Sequence, residues 1–130
     1  MKKKLKVSFD FECLSDNSFI QTLFDLLNIT GHDVFILTSR SPESSNKDIY
    51  KFAKDHKISE SRIFMTDGFP KVHTFMAEGF DLHFDTSFDE VVSINDMFQD
   101  SKKQSLPAIL VNFGLDEMGD IYNFVGELNL

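Results

Sequence analysis

Three short apolar runs in this chain end in side chains that can do chemistry. Leu5 to Phe11 carries Asp10 and leads into Glu12, and Val34 to Leu37 leads into Thr38-Ser39-Arg40. Leu82 to Phe84 leads into Asp85, with Asp89 four residues further on. Lys71 opens a helical stretch after the breaks at Gly68 and Pro70. Carboxylates are hard oxygen donors of the kind magnesium prefers, and an acidic cluster recruits a cation that reverses the local sign. A carboxylate also attacks phosphorus to give an acyl phosphate, which splits one hard step into two. Taken singly, each residue has a plainer use. Asp10 is a strand-end carboxylate, Thr38 a turn or cap residue, Lys71 an exposed helix lysine, and Asp89 an acid complementing a helix dipole.

The elements that must position these residues follow from hydrophobic spacing. Leu5 to Phe11, Val34 to Leu37, Arg62 to Met65, Leu82 to Phe84 and Ala108 to Phe113 are expected as strands. Ser15, Asp16 and Asn17 offer caps for a helix with Phe19, Ile20, Leu23, Phe24 and Leu27 on one face. A second helix carries Ile49, Phe52, Ala53 and His56, and a third carries Val72, Phe75 and Met76 and ends at Gly79. Ser87 and Glu90 form a capping-box pattern ahead of Val91, Val92 and Ile94. Gln99 to Ser105 is a polar connection, and the tail from Leu115 to Leu130 fits either strand or helix. Strands alternating with helices predict an α/β fold, a three-layer α/β/α sandwich around a mainly parallel, five-stranded, Rossmann-like sheet. Ligand sites in such sheets lie beyond the carboxyl ends of the strands, where Asp10, Thr38 and Asp85 fall.

The ordered set resembles the haloacid dehalogenase-like phosphatases. Phe9-Asp10-Phe11-Glu12 resembles their D-x-D motif, with Glu12 where the second Asp stands, and Leu37-Thr38-Ser39-Arg40 resembles their Thr/Ser motif. Lys71 matches the motif lysine, and Asp85-Thr86-Ser87-Phe88-Asp89 is similar to the closing acidic motif. The likeness runs from about Leu5 to Phe113. It implies a magnesium-dependent phosphomonoesterase with Asp10 as nucleophile and Glu12 as acid/base. Thr38 would bond the transferring phosphoryl oxygen, Lys71 would balance charge, and Ser39 and Arg40 would hold substrate. The metal would be bound by Asp10, Asp85 and the Glu12 backbone carbonyl, with Asp89 assisting. The resemblance is nearest to small nucleotidase-like and polynucleotide 3′-phosphatase-like members, on Leu37 to Arg40 and His83 to Asp85. The first connection is too short for a large cap domain. Small uncapped members suit large or polymeric phosphorylated substrates, a nucleotide or nucleic-acid end among them, or use an oligomeric neighbour as a lid. Glu12 is one methylene longer than Asp, and catalytic geometry is sensitive at that scale. The alternative function is therefore a weak or inactive member that binds or regulates without turnover.

Composition narrows the rest. A length of 130 residues fits one domain over the whole chain. The formal charge of −8 opposes duplex DNA, whose binding needs Lys and Arg on phosphates. Cys13 is the lone cysteine, consistent with a reducing, cytoplasmic setting and best used as a small buried hydrophobe. No apolar stretch approaches the roughly 20 residues of a bilayer span. Lys2, Lys3, Lys4 and Lys6 precede no signal-peptide core. The 15 phenylalanines belong to the core. His32, His73 and His83 share no ligand spacing, and His83 is expected as a packed or edge residue of its strand. A response-regulator receiver domain would need a lysine after the last strand, where Phe113-Gly114 stands. A dinucleotide-binding domain would need G-x-G-x-x-G after the first strand.

Overall fold

The computed structural model describes residues 3–98 and 106–111. The expected polar connection at 99–105, the end of the fifth strand at 112–113 and the tail at 115–130 lie outside the described residues.

Five strands form one sheet in which every pairing is parallel: β1 (Lys6–Phe9), β2 (Asp33–Thr38), β3 (Ile63–Met65), β4 (Leu82–Asp85) and β5 (Ala108–Leu110). Their order is β3-β2-β1-β4-β5, so β1 lies at the centre between β2 and β4. The helices are α1 (Phe11–Ser15), α2 (Ser18–Ile29), α3 (Lys47–Asp55), α4 (Lys71–Glu78) and α5 (Phe88–Asp96). The expected Rossmann-like α/β architecture is present.

Side-chain alternation along the strands sorts the core into two layers. Val7 and Phe9 of β1, Val34 and Ile36 of β2, and Leu82 and Phe84 of β4 meet Ile20, Leu23, Phe24 and Leu27 of α2 and Ile49, Phe52 and Ala53 of α3. Phe9 sits at the middle of this layer, stacked on Phe84 at 4.8 Å and edge-on to Phe24 at 5.2 Å between ring centroids. The opposite layer is smaller. Leu37 and Ala108 pack there with Phe75 of α4, Phe80, and Val91 and Ile94 of α5.

Two elements differ from their expected form. The first strand stops at Phe9 rather than Phe11, because Phe11 begins the one-turn helix α1. Val7-x-Phe9-x-Phe11 has the period of a strand, yet Phe11 is also the first of the buried set Phe11, Cys13 and Leu14 of that helix. The Asp10 N–H still donates to the Phe84 carbonyl at 2.8 Å, so sheet pairing ends one residue beyond the strand. The capping box at α5 is half made. Ser87 Oγ accepts from Glu90 N at 3.4 Å, but the Glu90 carboxylate turns instead to Lys71 N at 2.9 Å. Ser87 N–H is taken by Asp85 Oδ1 at 2.9 Å, which leaves Glu90 free to fasten α4 to α5.

Asn17 is the cap of α2, accepting from Phe19 N and Ile20 N at 3.0 and 3.1 Å. Asn17→Ala should cost about 1 kcal/mol of stability in urea denaturation, the usual value of such a cap. Asn17→Ser should recover most of it.

Candidate functional site

Strands buried on both faces of a parallel sheet are ordinarily apolar throughout. β1 and β4 break that rule on one face only. Ser8 and His83 are register partners on these neighbouring strands, and both are fully buried. Asp10 and Asp85 lie two residues further along each chain, on the same side by alternation. This polar column faces the α4/α5 layer at the carboxyl edge of the sheet, where ligand sites of such folds lie.

Lys71 enters that column from the first residue of α4. Its Nζ lies 2.7 Å from Asp10 Oδ1 and 2.7 Å from Asp85 Oδ2. All three residues are buried, with 3 % of Lys71, 6 % of Asp10 and 1 % of Asp85 exposed. His83 Nε2 reaches the same Asp85 Oδ2 at 2.8 Å, and its Nδ1 meets Ser8 Oγ at 2.7 Å. The result is one connected chain of bonds, Ser8–His83–Asp85–Lys71–Asp10. Burial opposes the charge on Lys71, but Asp10 and Asp85 outweigh it and hold the ammonium above its ordinary value. Burial likewise opposes ionisation of Asp85, and the hydrogen bond and charge of His83, with the Lys71 ammonium, hold its carboxyl below the ordinary range.

A second polar group is more open. Arg40 donates to both oxygens of Asp48 at 2.7 and 3.0 Å and to Glu12 Oε1 at 3.3 and 3.4 Å. Its guanidinium also lies over the Phe11 ring at 5.1 Å. The Asp48 hydrogen bond raises the Arg40 value, and Arg40 in turn lowers that of Asp48. Thr38, the buried last residue of β2, accepts from Arg40 N at 3.3 Å through Oγ1. Ser39 is exposed, and its carbonyl takes Gly68 N at 2.8 Å. Asp67 and Gly68 both have positive φ, so the pair forms the turn that ties this loop to the start of α4.

The residues singled out by sequence thus fall in three places. Asp10, Asp85 and Lys71 are in direct contact. Thr38, Ser39, Arg40 and Glu12 border them at the ends of β2 and β1, with Glu12 committed to Arg40. Asp89 is exposed in the first turn of α5. Among the described residues, no three His, Cys, Asp or Glu side chains are grouped as a metal cage. Cys13 is buried and its thiol is pushed up by that burial and by Asp10 and Asp85, in keeping with a packed hydrophobe. His56 is a helix-end residue, stacked on Phe52 and bonded to Asp25 at 2.7 Å.

Ser8, His83 and Glu90 belong to the site and were not expected there. The signal for the first two was available: a serine and a histidine, each two residues before a strand-end aspartate, in strands that otherwise read as core. Glu90 was legible only as a cap. No family model, curated protein or solved structure matches the chain. No helix among the described residues is long and apolar enough to cross a membrane.

Removing one partner of a buried ion pair costs about 3–5 kcal/mol, because the other charge is left uncompensated. Lys71→Met should lose that much in urea denaturation at neutral pH. In this variant the two carboxylates repel, which raises the folded-state value of one of them. Stability tied to such a raised group is present at low pH and lost as pH rises. Lys71→Met should therefore recover stability on mild acidification, and Lys71→Met/Asp85→Asn should recover it at neutral pH.

Proposed function

We propose that the chain is a magnesium-dependent phosphomonoester hydrolase of the haloacid dehalogenase-like type, working through an aspartyl-phosphate on Asp10. The observation that carries this reading is the Lys71 ammonium 2.7 Å from both Asp10 and Asp85 at the carboxyl ends of the two central strands. It unites, on one edge, three residues that the motifs assign to one phosphoryl-transfer site.

The donor set fits magnesium. Magnesium is usually bound by one or two carboxylates and keeps several waters, so a pair of aspartates suffices. Asp10, Asp85 and the Glu12 carbonyl would hold the ion, with Asp89 on the exposed side. When bound, it would neutralise charge on the phosphoryl group.

The chain's own groups account for the remaining steps. Lys71 holds Asp10 Oδ1, which leaves Oδ2 to attack phosphorus. A P–O bond forms to Asp10 as the ester P–O bond breaks, and Glu12 gives a proton to the leaving oxygen. Water then attacks the phosphorus of the acyl phosphate, Glu12 takes its proton, and Asp10 and inorganic phosphate are released. Lys71 and the Thr38 hydroxyl stabilise the phosphoryl oxygens, where charge develops. Substrates are phosphomonoesters presented at an open edge, including nucleotides or nucleic-acid ends, in a reducing, cytoplasmic compartment.

One observation favours a second reading, a binding or regulatory protein without turnover. Glu12 is held by Arg40, which is held by Asp48, so the acid/base must leave an ion pair to act. General acid/base help is worth about 100- to 10,000-fold. Under the hydrolase reading, Asp10→Asn should abolish release of phosphate from a generic phosphomonoester at saturating magnesium while leaving the circular dichroism spectrum unchanged. Glu12→Gln should slow it by about 100-fold or more, and Glu12→Asp should match or exceed the parent. Magnesium binding without turnover in any of these proteins would support the second reading.

A further inference from the structure

We infer that His83, anchored at its far nitrogen by Ser8, is a positioning residue that aims the Asp85 carboxylate. The inference rests on the metal-binding role proposed for Asp85, but its geometry is independent of turnover.

A carboxylate offers only acceptors, so a histidine nitrogen 2.8 Å from it must carry a hydrogen. His83 Nε2 is therefore the N–H that meets Asp85. Ser8 Oγ lies 2.7 Å from Nδ1 and 3.4 Å from the Leu82 carbonyl, so the far side of the ring is held as well. The ring has no freedom to change partners, since neither Ser8 nor His83 has any exposed surface.

The Asp85 carboxylate is consequently held by three donors. Oδ2 takes His83 Nε2 and Lys71 Nζ, and Oδ1 takes Ser87 N. Two donors fill the two lone pairs of Oδ2, and one remains open on Oδ1. Only that lone pair is offered to a cation. Lys71 alone would not fix this choice, because it also serves Asp10 and sits on a four-carbon stem. A rigid imidazole anchored at both nitrogens does. Hydrogen-bond partners of metal-binding side chains commonly contribute 10- to 100-fold to metal affinity.

The test uses the full chain and two measurements that need no turnover. Nitrogen-15 spectra of the histidine ring should show a protonated Nε2 for His83. An unprotonated Nε2 would overturn the proposal. In Ser8→Ala, which removes one hydroxyl and is the mildest change, Nε2 should stay protonated, because Asp85 still demands it, while magnesium affinity should fall as the ring loses its second anchor. Parent-like magnesium affinity in a folded Ser8→Ala would overturn the role given to Ser8. Titration calorimetry with magnesium should show affinity about 10- to 100-fold weaker in His83→Phe and largely restored in His83→Gln, whose amide N–H replaces Nε2. Parent-like affinity in a folded His83→Phe would overturn the proposal. Failure of the hydrolase reading is distinguishable, since binding with no phosphate release leaves both measurements intact. If the parent binds no magnesium, the carbon-13 shift of the Asp85 carboxylate decides. A shift displaced in His83→Phe and restored in His83→Gln supports positioning, and a shift unmoved in both overturns it.

Discussion

Two carboxylates buried side by side repel one another unless a cation stands between them, and here Lys71 supplies it at 2.7 Å from each. Much of the architecture serves that contact. Asp10 and Asp85 are neighbours only because β1 pairs directly with β4 in the order β3-β2-β1-β4-β5. The lysine arrives from a different connection, the loop after β3, and must start its helix over the same two strand ends. Pro70 fixes the entry of α4, and Glu90 accepts the Lys71 N–H that a first helical residue cannot satisfy within its helix. The loop from Thr38 to Arg40 is clasped to the same segment by Asp67 and Gly68. An ion pair this deeply buried is weak evidence for stability, since apolar residues of similar volume commonly serve as well. Its place at the strand ends is the feature that the proposed chemistry would use.

The site has an inner and an outer tier, and they differ in what they allow. The inner tier, from Ser8 through Asp10, is buried, with Asp10 its most exposed member, and is fixed by short hydrogen bonds. The outer tier of Glu12, Arg40 and Asp48 is exposed on one side, and exposed pairs are worth little. A glutamate at position 12 reaches Arg40 with the help of its extra methylene. Glu12 can therefore leave this pair at small cost, whereas no inner residue can move without stranding a charge. Under the proposed function, the rigid tier would face the phosphoryl group and the freer tier the leaving group.

Much of this was legible in the sequence, for identifiable reasons. The parallel sheet followed from apolar runs alternating with helical spacing, and Asp10, Lys71 and Asp85 stood out as polar groups at element ends. The end of β1 departs from the expected strand because Phe11 satisfies strand and helix periodicity at once. Glu90 looked like a capping-box acid because local pattern does not reveal a neighbouring helix that needs an acceptor. His83 was visible as a buried strand residue, but its partnership with Ser8 depends on which strand lies beside β4. A single sequence carries strand order only weakly, whereas the register Ser8–His83 is a property of the folded sheet. The likeness to haloacid dehalogenase-like phosphatases rests on the spacing of a few side chains, and the contact among Asp10, Lys71 and Asp85 is what the proposed function is argued from.

The central claim is that Asp10 receives a phosphoryl group. Acid quenching of the chain during incubation with a phosphomonoester and magnesium, followed by peptide mass spectrometry, addresses it directly, because acyl phosphates survive brief acid treatment. The account predicts one phosphoryl group on the peptide containing Asp10, absent when magnesium is withheld and absent in Asp10→Asn. A phosphoryl group found on another residue, or phosphate released while Asp10 stays unmodified and Asp10→Asn remains active, would contradict it.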